Sequence, residues 1–238
     1  MTLYGDKYAP VTSAIGFLRA PLHEVAEALH EWRLEIHGSA QCFELPGGLA
    51  DNIDRLEPLT GGVRPRELLV ATRNPEWTAV FDCGVQGGDQ TTTVGYLART
   101  VLRQGVVVAS VPDAAGGEGH PRRHGALQFE LFAPIMTDFL NYVRTISLVH
   151  DGSSWRFDAN GTVQDFEDIE AYQRRRIVDR FTLEMLTDYS AALGLEPFAP
   201  GFYPGPSVLV ASPISPPPGA QVLSIAEAQR WSGITPVE

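Results

Sequence analysis

The chain has 238 residues, 44% hydrophobic and 20% charged, enough apolar content for a substantial core and too much for wholesale disorder. Asp and Glu outnumber Lys and Arg by 29 to 18, a formal net charge of -11, which argues against nucleic-acid phosphates and anionic membranes and favours basic partners. The plainer reading of that charge is solubility alone. Cys42 and Cys83 are too few for a disulfide framework and read as two isolated buried thiols. With no basic-then-apolar leader and no apolar run near the roughly 20 residues that cross a bilayer, a cytoplasmic protein is expected. Lys7 is the only lysine, and this arginine bias with abundant Ala, Gly and Pro suggests a GC-rich bacterial genome.

The first 20 residues carry no strong periodicity and read as a loose N-terminal segment. Over 21–36, Leu22, Val25, Leu29, Trp32 and Ile36 recur at helical steps, with Pro21 suited to the first turn and Gly38 to the stop. Residues 47–66 are turn-rich and read as surface loop. Strands follow at 67–72 and 77–83, joined by a short Asn-Pro turn, and a glycine-rich loop leads into a helix over 91–103. The β-branched run 106–111 reads as a strand covered on both faces, so strand–helix–strand here predicts a right-handed parallel crossover. A soft loop over 113–125 precedes a strand at 126–132.

The segment 143–193 is the most patterned. Residues 143–149 pair with 155–157 across a turn, and Asn160-Gly161 is a hairpin signal because a type I′ turn needs positive φ. Asp165 is placed to cap a long amphipathic helix whose buried stripe is Val178, Phe181, Met185, Tyr189 and Ala192 and whose end is Gly194. Glu167, Asp168 and Glu170 suit the positive end of that helix, and Glu170 and Arg174 are spaced for an ion pair. The tail predicts a strand at 207–211, a proline run at 216–218, and a helix with a Ser224/Glu227 capping box whose Trp231 docks it back on the body. The expectation is one α+β domain over 1–238: a mixed, largely antiparallel sheet, one β-α-β crossover, helices on the sheet, and 212–238 as a proline-rich tail ending in the docked helix.

Candidate chemistry is sparse. The loop from Asp82 to Asp89 leaves a strand and enters a helix, where free amides and the helix dipole hold anions. Gly84, Gly87, Gly88, Asp89, Thr91 and Thr92 are therefore the candidate residues for a nucleotide or other small anion. The order is not G-x-G-x-x-G, there is no P-loop lysine, and Asp82 and Asp89 repel phosphate, so an unliganded turn competes with that reading. His23, Glu27 and His30, with His37 beyond, have spacing that converges on a metal, but a solvated helix face explains them equally. His120-Pro-Arg-Arg-His124 is a basic island that reads as an anion clamp, an acidic-partner contact or a solvated loop. Cys83 beside Asp82, with His120 or His124 as base, would make a thiol nucleophile; a buried structural cysteine accounts for it more simply. Arg174, Arg175 and Arg176 splay around a helix, so intramolecular pairing competes with a partner-binding patch.

The run Trp155-Arg156-Phe157, Asn160-Gly161, Phe166-Glu167, Tyr172, Arg175-Arg176 and Arg180-Phe181 resembles a pattern in uncharacterised actinobacterial α+β proteins. Those in turn are loosely similar to the immunity and accessory proteins of bacterial polymorphic toxin systems. The resemblance spans 77–209 and implies an acidic cytoplasmic binding protein that neutralises a toxin-like basic partner; it carries over no catalytic residues. The reading is a non-enzymatic protein-binding module with no cofactor and no metal, its partner surface at Glu167, Glu170, Arg174 and Arg175. The alternative is an enzyme or sensor that binds a small anion at Gly84–Gly88.

Overall fold

The structure is a computed structural model that describes residues 2–116 and 121–234. Its helices are α1 (Leu22–His37), α2 (Leu49–Asn52), α3 (Gln90–Thr100), α4 (Leu183–Ala192) and α5 (Ile225–Trp231). The strands are β1 (Ala14–Leu18), β2 (Gln41–Leu45), β3 (Leu59–Thr60), β4 (Arg66–Ala71), β5 (Thr78–Asp82) and β6 (Gly105–Val111), then β7 (Ala126–Phe132), β8 (Tyr142–His150), β9 (Trp155–Gly161), β10 (Ser207–Ala211) and β11 (Val222–Leu223). Nine strands form one open sheet in the order β2-β10-β4-β5-β1-β6-β7-β8-β9, every neighbouring pair antiparallel, and β3 and β11 form a separate ribbon. The protein is α+β, as its element pattern predicts.

The N-terminal residues are not loose. Ile15, Phe17 and Leu18 are fully buried, and β1 lies at the centre of the sheet between β5 and β6. That insertion also changes the crossover: β5 and β6 point the same way with α3 between them in sequence, but β1 separates them. The close seat of α3 has a local cause. A Cβ on Gly16 would stand 2.6 Å from Val94 Cγ2 and one on Gly105 2.5 Å from Val94 Cγ1, so only glycines let Val94 press into the sheet here.

α1 and α3 cover one face, where Leu18, Val25, Leu29, Leu69, Val80, Leu97 and Val107 form the smaller core. The opposite face holds the larger core, dominated by Phe17, Phe81, Phe129, Phe181, Phe202 and Tyr203. Each such side chain contributes roughly 1.5–3 kcal/mol by leaving water. Helix α1 begins after Pro21 and stops at Gly38 in the left-handed conformation, as expected. Its stripe, however, ends early. Ile36 is exposed, and Arg33 turns inward instead to meet Glu67 with Nε–Oε2 and Nη2–Oε1 distances of 2.6 Å each.

The long helix expected from Asp165 is the clearest correction. Residues 162–182 form turns, with short 3-10 turns at Ala171–Gln173 and Ile177–Asp179, and helix starts only at Leu183, capped by the Thr182 hydroxyl accepting from the Met185 amide at 3.3 Å. Two features compete with the helix. Glu167 is drawn back to Arg144 on β8, and the Asp168 side chain accepts the Ala171 amide at 3.2 Å, a local bond that substitutes for the helical ladder. The expected Glu170–Arg174 pair is replaced by Arg174–Asp168 at 3.4 Å.

Asn160-Gly161 also differs from expectation: it ends β9 opposite Thr145 and Arg144 and does not close a two-residue hairpin. Gly161 does have φ +90°, and a Cβ there would stand 2.3 Å from the Val143 carbonyl oxygen. The tail docks as expected but not through Trp231, which is 45% exposed. Ile225 and Ala228 are buried instead, and Gln229 Nε2 donates to the carbonyls of Asp6 and Lys7 at 3.1 and 2.8 Å.

Candidate functional site

The glycine-rich loop is closed around one of its own side chains. Asp82, 1% exposed at the end of β5, accepts from the Gly84 amide at 2.7 Å, the Asp89 amide at 3.0 Å and Gln90 Nε2 at 3.2 Å, and Arg64 Nε stands 3.3 Å from its Oδ1. Gly87 and Gly88 both have positive φ, which lets the chain wrap the carboxylate. Burial pushes the Asp82 carboxyl up to about 6, against the pull of Arg64 and the two amides. The Asp89 carboxylate accepts the Thr92 amide at 3.4 Å and its hydroxyl at 3.0 Å, and the Thr91 hydroxyl donates to the buried Glu130 at 2.6 Å. The Gly84 and Asp89 amides and the Thr91 and Thr92 donors thus face carboxylates of the chain itself, while the Gly87 amide donates to the Gly84 carbonyl at 3.2 Å.

The expected partner surface divides. Glu167 is the most enclosed carboxylate of the group: Arg144 reaches it through Nε at 2.9 Å and Nη2 at 2.7 Å, Tyr172 donates its hydroxyl at 2.8 Å, and the Gln164 amide donates at 2.8 Å, with the Arg144 and Glu167 side chains 4% and 0% exposed. Glu170 and Arg175 lie on the surface and make no ion pair among the described residues. Arg174 is tied locally, donating to the Asp179 carbonyl at 3.0 Å.

The other motifs fold inward or apart. Cys83 is fully buried, with the Thr60 hydroxyl 3.5 Å from its sulfur, and burial raises its thiol pKa. His124 faces His150 instead, their Nδ1 atoms 3.0 Å apart, while His120 lies outside the described residues. Of the basic island, Arg122 pairs with Asp113 at 3.2 Å and Arg123 with Asp6 at 2.8 Å. Cys42, expected to be buried, is exposed, because it stands on the edge strand β2 rather than in a loop beneath the core.

That edge strand forms the site the sequence pattern missed. Between α1 and β2 lies a cavity of about 800 Å³. Its apolar floor is Leu22, Ala26, Leu45, Pro46 and Val208, and His23, Glu27, His30, Cys42 and Glu44 supply its polar groups. An apolar hollow with a few converging polar groups is the usual form of a binding site. The helical spacing of His23, Glu27 and His30 does put them on one side of α1, but among the described residues no group of three or more His, Cys, Asp or Glu is placed to hold a metal. His30 Nε2 lies 3.1 Å from the Ala40 carbonyl oxygen, which fixes its ring against the turn into β2. Glu27 and Glu44 make no ion pair among the described residues, although nearby Glu24 reaches Arg103 at 3.6 Å. A signal for β2 existed in the alternation of Gln41, Cys42, Phe43, Glu44 and Leu45, but five residues with one exposed aromatic are weak against the turn-rich stretch that follows.

A second exposed apolar group, Ile135, Met136, Phe139 and Leu140, sits on the β7–β8 connection. No helix among the described residues is long and apolar enough to cross a membrane. No family model matches the chain, and no curated protein or solved structure matches it.

Proposed function

We propose that the protein is a non-enzymatic binding module for a basic protein partner. One observation carries this reading: Glu27 and Glu44 border an apolar hollow and make no ion pair among the described residues, whereas Glu67, Asp82 and Glu167 each face an arginine. Carboxylates held in water beside apolar surface attract cationic side chains and lose little on binding, because they are not locked into an internal pair. The net charge of -11 adds long-range attraction for a basic protein and repulsion for nucleic acid. Neutralising a basic toxin-like partner, in the manner of an immunity protein, is the biological use that such a surface suits.

Co-expression with the products of the neighbouring genes tests the reading. A stoichiometric complex with a basic product, weakened by rising salt and by the double substitution Glu27→Gln/Glu44→Gln, is the expected result. Failure of every neighbouring product to form a complex, or a complex indifferent to salt, would count against it. The anion-binding alternative gains little from the loop geometry, where Asp82 and Asp89 already accept from the amides of Gly84, Asp89 and Thr92.

A further inference from the structure

We infer that the α1/β2 groove takes an extended segment of its partner as an added strand along β2, with a Lys or Arg beside Glu44 and Glu27 and an apolar side chain over Leu22 and Ala26. The inference rests on the protein-binding reading and specifies its mode and the chemistry of the segment.

The backbone makes the first argument. β2 is the terminal strand of the sheet and, among the described residues, pairs only with β10, from Gln41 opposite Ala211 to Leu45 opposite Ser207. Gln41, Cys42, Phe43 and Glu44 are all exposed, so the outer row of amides and carbonyls faces water. Native edges are usually blunted by a proline, a lysine, a bulge or a covering segment. Within its five residues β2 has no proline, lysine or bulge, its register with β10 is unbroken, its one charge is Glu44, and among the described residues no strand pairs with its outer side. The opposite edge, β9, differs: the 3-10 turn at Ile177–Asp179 packs against it and Arg156 projects from it.

Side-chain alternation makes the second argument. Cys42 and Glu44 share the face that lines the groove, so a strand laid beside β2 directs every second side chain into the same hollow. One of these lies beside Glu44 and within reach of Glu27, neither of which makes an ion pair among the described residues; its neighbour two positions along covers the apolar floor. The segment that fits therefore alternates, with a basic and an apolar residue separated by one position. A second copy of this chain fits poorly, because β2 paired with β2 brings Glu44 and Glu27 against the same carboxylates in a protein of net charge -11.

The test uses the full-length protein and an acetylated octapeptide, Val-Thr-Lys-Thr-Val-Thr-Leu-Thr, with two controls: the same peptide with Glu for Lys, and the Lys peptide N-methylated at alternate backbone positions. Cys42 serves as reporter, being exposed where Cys83 is buried, so its reaction with Ellman's reagent reads occupancy of the groove. The Lys peptide is expected to slow that reaction and to shift the amide resonances of β2, and Glu27→Gln/Glu44→Gln is expected to weaken it about tenfold. Both controls are expected not to bind. Equal binding of the Glu peptide, undiminished binding of the N-methylated peptide, shifts centred on Ile135–Leu140 or Glu167–Arg175, or a β2-mediated homodimer would each overturn the inference. If a basic protein binds while the Lys peptide does not, strand addition falls and the protein-binding reading stands. If neither peptides nor basic proteins bind, both fall.

Discussion

Glu167 and Glu44 are both acidic residues near the end of a sheet, yet the chain treats them in opposite ways. Glu167 sits behind β8 with a bidentate arginine, a tyrosine hydroxyl and a backbone amide all directed at its carboxylate, and its side chain is fully buried. Glu44 stands on an edge strand in water, over an apolar hollow, with no cation among the described residues. A charged group enclosed by its own partners is committed to the fold, because removing either partner leaves the other buried without compensation. One left without partners beside apolar surface is available to another molecule. The difference lies not in residue type but in whether the tertiary structure brings an arginine to it.

The comparison breaks first at Glu167. Glu167→Ala leaves Arg144 buried and unpaired, so urea unfolding should show a loss of about 3–5 kcal/mol. Replacing both partners with apolar residues, Arg144→Met/Glu167→Leu, should recover most of it. A loss below about 1 kcal/mol for the single variant would mean that the pair is not the closure described.

Asp82 is the intermediate case, enclosed like Glu167 but with weaker compensation. Its native carboxyl titrates near 6 against an ordinary 3.8, so the native state holds its proton more tightly than the unfolded chain. This contribution is fully present below about pH 4 and is lost as pH rises towards 6, a decline of roughly 3 kcal/mol. Asp82→Asn should flatten the decline in unfolding free energy measured across that window, and an unchanged slope would assign the pH dependence to other groups.

At the open end of the scale, Glu27→Gln/Glu44→Gln should change stability by no more than about 0.5 kcal/mol, because no internal pair is broken. A large destabilisation would show that these carboxylates serve the fold and would remove the contrast with Glu167. The smallest effects belong to Glu170→Ala and Arg175→Ala, within about 0.5 kcal/mol in stability and without effect on capture of a basic partner at the groove. Loss of capture on either substitution would move the partner surface back to the segment 162–180.

The legible parts of the sequence were those where local chemistry and tertiary demand agree. Helix α1 with its glycine stop, the pairing of β8 with the start of β9, strand β10 and the capping box at Ser224 all carry their signals within a few residues. The site was harder to read. The helical spacing of His23, Glu27 and His30 is visible along the chain, but the second wall of the groove is a short edge strand that resembles the loop after it.

Composition and pattern alone determined an acidic α+β protein with an antiparallel meander and a docked C-terminal helix. Tertiary structure alone decided that the N-terminal strand β1 occupies the centre of the sheet and splits the crossover. It also decided that residues 162–182 give up their helix so that Glu167 can meet Arg144, and that β2 remains as an open edge beside α1. The physical reason is common to all three. Non-local pairing, whether of strands or of buried charges, is worth more than the few tenths of a kcal/mol per residue that local propensity supplies, and it leaves no periodic mark in the sequence.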